Sequence, residues 1–415
     1  MTSPSPQSDW LRELRRPRNI IVGAQMLFIA FSGLVLVPVL MGLNPSVALF
    51  TAGAGTLLFQ LVTGGRIPVF LASSFAFIAP TSYGIQQFGL AETLGGLMSA
   101  GILYVVLAQL VQWRGMGVIQ KVLPPIVTGP VVMVIGMSLA PIAVEKAGGN
   151  LSGDHSVSHL MVAAGVFLVT VLTAVLSRGT WRLIPVLVGI SFGYALSLPL
   201  GLIDLSGVAS APWWSVPEFT TPRFSLPAIL FILPVAIAPA IEHVGDILAV
   251  SAVTGENYLE RPGLNRTLLG DGLATSLAAA LGGPPNTTYS EVVGAVALIR
   301  SVNPVMMIWA ATFAIGLSFC GKLNALLNTI PGPVMGGVLV ILFGTIVTLG
   351  INTLVRAGAD LSDSHNLIVV GTILVLGIGG LGIEAGRFTL EGLSLAAITG
   401  VVLNLALPKR GASLQ

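Results

Sequence analysis

Charged residues are scarce in this sequence. They make up 9% of 415 residues, against about 25% in soluble domains. Hydrophobic residues make up 54%, and the mean hydropathy is +0.92. This composition excludes an ordinary soluble domain. It predicts an all-α polytopic membrane protein, because a helix satisfies its backbone hydrogen bonds without water.

Cysteine is almost absent too. Cys320 is the single one, which excludes an intrachain disulfide and a cysteine-based metal cluster. The sequence also lacks a phosphate-binding loop, a nucleophile triad, a His/Cys metal spacing and a nucleic-acid-binding patch. A cleavable signal is not expected, because the first residues are polar and the apolar segment after them is too long. We therefore expect no catalytic residue, no metal, no cofactor and no nucleic-acid partner.

Long apolar runs predict about fourteen membrane-spanning segments. They lie near residues 19–41, 45–63, 67–88, 92–113, 122–144, 156–177, 183–203, 225–253, 264–281, 285–299, 304–320, 331–354, 364–380 and 390–408. With a cytoplasmic N-terminus, 15 of the 19 Lys and Arg residues fall inside, leaving Lys146, Arg223, Lys322 and Arg387 outside. This asymmetry predicts that both termini are cytoplasmic. A count of twelve would place the termini in the same way.

An internal repeat divides the chain in half. The stretch LPPIVTGPVV recurs 207 positions later as IPGPVMGGVL, with Pro, Val, Gly and Val in register. The third and tenth segments both begin with Gly-Gly, Pro and a short polar stretch. Seven segments separate them, so the second half is inverted relative to the first. The pattern predicts a 7+7 inverted repeat, with two broken helices meeting near the membrane midplane.

The breaks themselves predict a binding site. Residues 69–74 and 286–289 are rich in residues that favour strands, so they are expected to pair as short antiparallel strands. The half-helices that follow would direct their N-termini and free N–H groups at one place, which suits a carbonyl-bearing or anionic ligand. The polar side chains at the breaks are most simply explained by hydrogen bonds to the broken backbone. Ser74 is also a candidate ligand contact.

Four acidic residues interrupt apolar sequence: Glu242, Asp246, Asp271 and Glu291. An ionisable side chain at membrane depth is by default a functional hypothesis. Glu242 and Asp246 are one helical turn apart and share a face. Two carboxylates this close in a dry site favour reversible protonation. A structural hydrogen bond is an equal alternative for Asp271, and packing is the expected role of His243.

Such a site suits a small planar molecule that carries both N–H donors and C=O acceptors. The carboxylates of Glu242 and Glu291 would accept hydrogen bonds, and the N–H groups of the half-helices would donate them. Phe75 and Tyr289 lie at the two breaks, where each is either an aromatic face for the ligand or a core residue.

Five stretches of sequence carry a family resemblance: residues 34–59, IPVFLASSFAFIAP (67–80), IEHVGDILAV (241–250), PNTTYSE (285–291) and IPGPVMGG (330–337). In these stretches the chain resembles the nucleobase–ascorbate transporter family, and most closely its bacterial uracil-permease branch. The resemblance implies nucleobase–proton symport across the bacterial inner membrane, a lipid environment, a homodimer, and an elevator-like movement of a core domain against a gate domain.

The domain boundaries follow from the resemblance and the segments. The core domain would comprise residues 19–113 and 225–330, and the gate domain residues 114–205 and 331–408. An outer loop, 206–224, joins them between the two halves. Residues 1–18 and 409–415 would be cytoplasmic tails.

The resemblance also implies roles for single residues. Glu242 and Glu291 would bind the base, with Phe75, Tyr289, Ser290 and Gly33 around it, and Glu242, Asp246 and Asp271 would couple the proton.

Several positions depart from the family pattern. Val292 replaces the usual Asn and Ile299 the usual Thr. Glu291 favours uracil, whereas Asp246 and Asp271 are typical of the purine branch, so xanthine or urate stays an alternative to uracil. An anion transporter of the sulfate-carrier type is a further alternative. A membrane enzyme or a passive channel is disfavoured.

Overall fold

The chain is mainly helical in its computed structural model, which describes residues 12–115, 117, 122, 124–148, 157–299, 301–385 and 388–408. Its helices are α1 (Pro17–Met41), α2 (Pro45–Thr63), α3 (Ile78–Phe88), α4 (Leu90–Arg114), α5 (Pro125–Lys146), α6 (Val157–Leu176), α7 (Pro185–Ser197), α8 (Ser206–Ser210), α9 (Leu226–Ile232), α10 (Ile237–Thr254), α11 (Leu264–Ala280), α12 (Ser290–Ile299), α13 (Val305–Ser318), α14 (Gly321–Asn328), α15 (Gly332–Arg356), α16 (Ser364–Gly379) and α17 (Gly392–Ala406). Residues 1–11 of the predicted N-terminal tail and the predicted C-terminal tail, 409–415, lie outside the described residues.

The helices include several that can cross a membrane. By length and hydropathy these are α1, α2, α4, α5, α6 and α15. Shorter apolar helices of 10–17 residues include α7, α13 and α16. The predicted multi-pass architecture is therefore supported, and the number of fourteen crossings stays a prediction.

The two predicted breaks contain short strands, β1 (Leu71–Ser73) and β2 (Asn286–Thr288). The strands pair antiparallel, with Leu71 opposite Thr288 and Ser73 opposite Asn286. The expected strand pairing between the third and tenth segments is thus confirmed. Beyond the ladder, the Ser74 amide donates to the carbonyl of Pro285 at 2.9 Å.

Polar side chains of α2 satisfy the backbone of this strand pair. The Thr56 hydroxyl accepts from the amide of Leu71 at 2.9 Å, and Gln60 Nε2 donates to the carbonyls of Ile67 and Val69 at 2.8 and 3.1 Å. Asn286 Nδ2 donates in turn to the Thr51 carbonyl at 3.0 Å. Because non-helical backbone at membrane depth needs internal partners, these bonds make the breaks possible.

Replacing Gln60 by leucine should therefore destabilise the fold. The substitution preserves volume but leaves the buried carbonyls of Ile67 and Val69 without their donor, at a cost of about 2–4 kcal/mol. Denaturant titration of the purified protein in detergent measures this loss. Gln87→Leu on α3, where the side chain is exposed, is the matched control. Equal midpoints for the two variants would contradict the role given to Gln60.

The eighth predicted segment, 225–253, is not one helix, which corrects the expectation that only two segments are broken. α9 ends at Ile232 and α10 begins at Ile237. Pro234 lies between them and has no amide to continue the helix. Turn bonds bridge the gap, from the Val235 amide to the Ile232 carbonyl at 3.0 Å and from the Ala236 amide to the Leu233 carbonyl at 3.2 Å. Pro234 in this third break lies about two turns before Glu242.

A second strand pair also departs from the all-α prediction. Strands β3 (Gly382–Ala385) and β4 (Phe388–Glu391) form an antiparallel hairpin between α16 and α17. The short helices α8 and α14 were likewise not expected, and they pack against each other. These elements lie between the long apolar helices, where the sequence shows only polar loops.

The helices pack in two groups. In the first, α4 packs on α11 and α2 on α13, while α2 and α11 also contact each other. In the second, α5 packs on α15, α15 on α6, and α16 on both α5 and α17. The strand pair β1–β2 belongs to the first group, through contacts with α2, α10 and α11.

Candidate functional site

A small cavity lies where the two helix groups meet. Its volume is about 50 Å3. One wall is formed by the broken elements and α10, through Phe75, Ala76, Glu242, Thr287, Thr288, Tyr289 and Glu291. The opposite wall is formed by α5 and α15, through Val132, Ile135, Leu342, Thr345, Ile346 and Leu349. We call this space the site cavity.

Two carboxylates line the site cavity, as the sequence predicts. Glu291 is in the first turn of α12 and is exposed to the cavity. In that turn the amides of Val292 and Val293 donate to the Tyr289 carbonyl, each at 3.1 Å, so the candidate donors to a ligand are the amides that precede them. Glu242 comes from α10 and is half-buried. One cavity therefore offers two acidic acceptors beside the positive end of a helix dipole.

Asp246 lies one turn after Glu242, but it does not line the cavity. It is 6% exposed, and one of its carboxylate oxygens accepts a hydrogen bond from the Thr288 hydroxyl at 2.8 Å. Thr288 itself lines the cavity. This bond therefore connects α10 to β2 and places Asp246 directly behind the cavity wall.

The two predicted aromatic residues lie together. The rings of Phe75 and Tyr289 stack with centroids 6.1 Å apart and an interplanar angle of 27°. Gly33 of α1 lies behind Tyr289, and a Cβ at Gly33 would overlap the Tyr289 hydroxyl. Phe75 and Tyr289 thus present aromatic surface to the cavity, and Gly33 supports the tyrosine rather than lining the cavity.

Other predicted residues are placed elsewhere. Ser74 is fully buried and its side chain does not line the cavity. Asp271 is also fully buried, with one carboxylate oxygen 3.7 Å from Nδ1 of His243. Its proposed part in proton coupling therefore cannot involve direct contact with a molecule in the site cavity. The side chain of Ser290 lies outside the described part of the chain.

Sequence reasoning missed the wall contributed by α5 and α15. Most of its residues are apolar and have no signature that separates them from core residues. Thr345 is the exception, because its hydroxyl interrupts an apolar run. On α2, the spacing of Thr56 and Gln60 by one turn could have indicated their support of the breaks.

Solved structures with a similar fold are transporters. The transmembrane domain of a cyanobacterium bicarbonate transporter, BicA, matches with a TM-score of 0.65 and 13% identity, over 94% of this chain and 98% of that chain. Murine Slc26a9, an anion transporter in the inward-facing state, matches with a TM-score of 0.72 and 13% identity, over 96% of this chain and 70% of that chain. At this identity the likeness describes the fold alone.

Sequence comparison identifies nearer relatives. A model of the permease family, Xan_ur_permease, matches residues 17–385. A probable uracil permease of Pasteurella multocida is 52% identical over 99% of this chain and 98% of its own length. Uracil permeases of Bacillus caldolyticus and Escherichia coli are 43% and 38% identical, each over 94% of this chain and at least 91% of their own length. The chain therefore belongs to the permease family that includes these uracil permeases, as the resemblance predicted, and is a transporter rather than an enzyme.

Proposed function

We propose that this protein imports uracil together with protons. The observation that carries the proposal is the site cavity, in which Glu242 and Glu291 flank stacked aromatic residues at the start of a half-helix. The names of the relatives support a nucleobase as the substrate, and uracil foremost.

The chemistry of uracil matches the groups in the cavity. Uracil is planar and carries two ring N–H donors and two carbonyl acceptors. Carboxylates only accept hydrogen bonds when ionised, so Glu242 and Glu291 suit the N–H groups. The positive end of the α12 dipole suits a carbonyl. Phe75 and Tyr289 supply an apolar face for the ring.

Proton coupling is assigned to Glu242 together with Asp246. A carboxylate that moves through a dry interface is costly when charged, so it must be neutral while the substrate moves. Asp246 is connected to the cavity through Thr288, which gives the proton a place beside the ligand. Asp271 lies further inside and does not line the site cavity, so its part in the coupling would be indirect.

Replacing Asp246 by asparagine should uncouple transport from protons. Asparagine can still accept from Thr288, but it cannot exchange a proton in the working pH range. Uracil uptake into proteoliposomes should then no longer rise when an inward proton gradient is imposed. Asp360→Asn, at an exposed acid before α16, is the control and should keep the full response. An unchanged response in Asp246→Asn would remove Asp246 from the coupling mechanism.

The packing supports an inverted repeat with an elevator-like movement. If segments one to seven are exchanged with eight to fourteen, the pair α4–α11 becomes α13–α2, and α6–α7 becomes α16–α17; all four pairs are in contact.

A cavity of about 50 Å3 is well below the roughly 300–1,000 Å3 of typical ligand pockets. Before a base can enter, the wall formed by the broken elements and α10 must therefore separate from the wall formed by α5 and α15. We place the assembly, as a homodimer with cytoplasmic termini, in the bacterial inner membrane among its lipids.

Thermal stabilisation by ligands tests the substrate. A ligand that binds only the native state raises apparent stability in proportion to ln(1 + [L]/Kd). Uracil should stabilise the purified protein. The other compounds, tested one at a time for comparison, are thymine, xanthine, hypoxanthine, urate, bicarbonate and sulfate. A response to xanthine or urate instead would favour the purine alternative, which Asp246 suggests. A response to anions alone would favour the sulfate-carrier alternative, which the fold likeness to anion transporters suggests.

A further inference from the structure

His243 and Asp271 form a buried pair behind the site cavity. Both side chains are fully buried, and Nδ1 of His243 lies 3.7 Å from one carboxylate oxygen of Asp271. Both ring nitrogens and both carboxylate oxygens lack a hydrogen-bond partner within the described residues. Buried polar atoms are nearly always paired, so this cluster requires an explanation other than packing.

The charges around the pair are nearly all negative. On α10, Glu242 and Asp246 lie one residue before and three residues after His243, and Asp246 is within electrostatic range of Asp271. Glu291 on α12 belongs to the same acidic group, through its interaction with Glu242.

The other elements packed on the pair add little positive charge. From α4, the buried Tyr104 lies within electrostatic range of Asp271, and from α2, Phe59 contacts the His243 ring edge to face, with centroids 6.3 Å apart. In the turn Leu259–Gly263, Glu260 and Arg261 are exposed, as is Arg266 at the start of α11. α5 carries its charged residues, Glu145 and Lys146, at its far end. The sequence has no Lys or Arg from 224 to 260 or from 267 to 299, so His243 is the basic group nearest to Asp271.

A buried carboxylate without compensation is costly, and so is a buried imidazolium. One proton held between the two removes both costs, because the pair is then neutral whichever atom carries the proton. We propose that His243 and Asp271 share a single proton throughout transport, and that this neutral pair keeps Asp271 from disturbing the protonation of Asp246. His243 is thereby a positioning residue for the coupling proton. The inference rests on the proposed uracil transport.

Breaking the pair from its two sides should produce different pH effects. In His243→Phe the ring still packs on Phe59, but Asp271 must hold a proton alone. As pH rises, Asp271 ionises and places an uncompensated negative charge beside Asp246, so the variant fails at alkaline pH. In Asp271→Asn the histidine is left alone and stays neutral, because a buried imidazolium is costly, so this variant places no charge beside Asp246 and should keep the original pH profile. The double variant carries neither charge.

The experiment is uracil counterflow in proteoliposomes at equal pH on both sides, from pH 5.5 to pH 8.5. No proton gradient is then present to change the driving force. Relative to the unchanged protein, the ratio of exchange at high pH to exchange at low pH should fall about tenfold in His243→Phe, as one pKa unit of mismatch gives, and should stay within about twofold of the original ratio in Asp271→Asn. The double variant should return to within about twofold of the original ratio.

Two further measurements make the result decisive. His365→Phe removes another buried imidazole whose ring nitrogens have no partner in the described structure, and its pH profile should not change. Gel filtration and uracil-induced thermal stabilisation identify variants that do not fold, and His243→Gln then replaces His243→Phe. A folded His243 variant with the original profile, or a double variant no better than His243→Phe, would overturn the shared proton. Absence of uracil exchange in the unchanged protein would instead overturn the proposed function.

Discussion

Replacing Glu291 by alanine should abolish uracil binding and leave the fold intact. Glu291 is exposed to the site cavity in the first turn of α12, so its carboxylate can accept from a ligand in the cavity. A hydrogen bond to a charged acceptor contributes about 1.5–3 kcal/mol. Loss of one such bond to a ring N–H of uracil, together with about 1–3 kcal/mol for leaving that N–H buried without an acceptor, corresponds to roughly a hundredfold rise in Kd. Isothermal titration of the purified protein with uracil measures it.

Two matched variants separate binding from folding. Glu291→Gln keeps the shape and one acceptor oxygen, so its affinity should lie between those of the alanine variant and the unchanged protein. Glu256→Ala, at an exposed position after α10, should bind uracil normally. The thermal midpoint without ligand should be similar in all of them, because the Glu291 side chain is exposed to the cavity. Retained affinity in Glu291→Ala would remove Glu291 from the binding site.

The breaks could be predicted from the sequence because membrane-embedded backbone follows strict rules. A polar stretch with Gly and Pro between apolar runs can persist only where its backbone groups find partners, so the two such stretches were expected to meet. The pairing of Leu71–Ser73 with Asn286–Thr288 follows from that requirement. Glu291 and Glu242 were recognisable for a similar reason, because a carboxylate in apolar sequence is costly without a function.

The partners of the buried polar residues could not be predicted in the same way. Whether Asp246 meets Thr288, or Asp271 meets His243, depends on how α10 and α11 are rotated about their axes, and small apolar helices allow many rotations. On sequence alone His243 was expected to pack about 100° away from Glu242, and nothing identified Asp271 as its neighbour. The break at Pro234 was missed because prolines are common within membrane helices, as Pro38, Pro130 and Pro141 are here.

The opposite wall of the cavity could not be predicted from the sequence, for a different reason. Leu342, Ile346 and Leu349 are as apolar as any lipid-facing residue of α15, and their sequence spacing alone does not distinguish the two faces. An apolar wall is nevertheless what a moving interface requires. In the proposed elevator-like movement, it would let α5 and α15 slide past the core without breaking hydrogen bonds at each step.

Replacing Gly33 by alanine should weaken uracil binding by displacing Tyr289. A Cβ there would overlap the Tyr289 hydroxyl, and Tyr289, only 2% exposed, belongs to a packed cluster with Leu34, Phe70 and Val292. The surrounding core has no room for the ring, so in Gly33→Ala the tyrosine must move into the site cavity, where uracil would lie. Since base–aromatic stacking contributes about 1–3 kcal/mol, titration should give an affinity for uracil about thirtyfold weaker.

The structure offers a control for Gly33→Ala on the helix that carries Glu291. A Cβ at Gly294 would meet no atom within 4 Å, so Gly294→Ala should bind uracil normally and gain slightly in helix stability. Tyr289→Leu in the Gly33→Ala background removes the overlapping hydroxyl and ring, and should restore the thermal midpoint without restoring affinity. Recovery of the thermal midpoint without recovery of the affinity for uracil is expected only if Gly33 acts through Tyr289. If Gly33→Ala binds uracil as tightly as Gly294→Ala does, the tyrosine is not part of the binding surface.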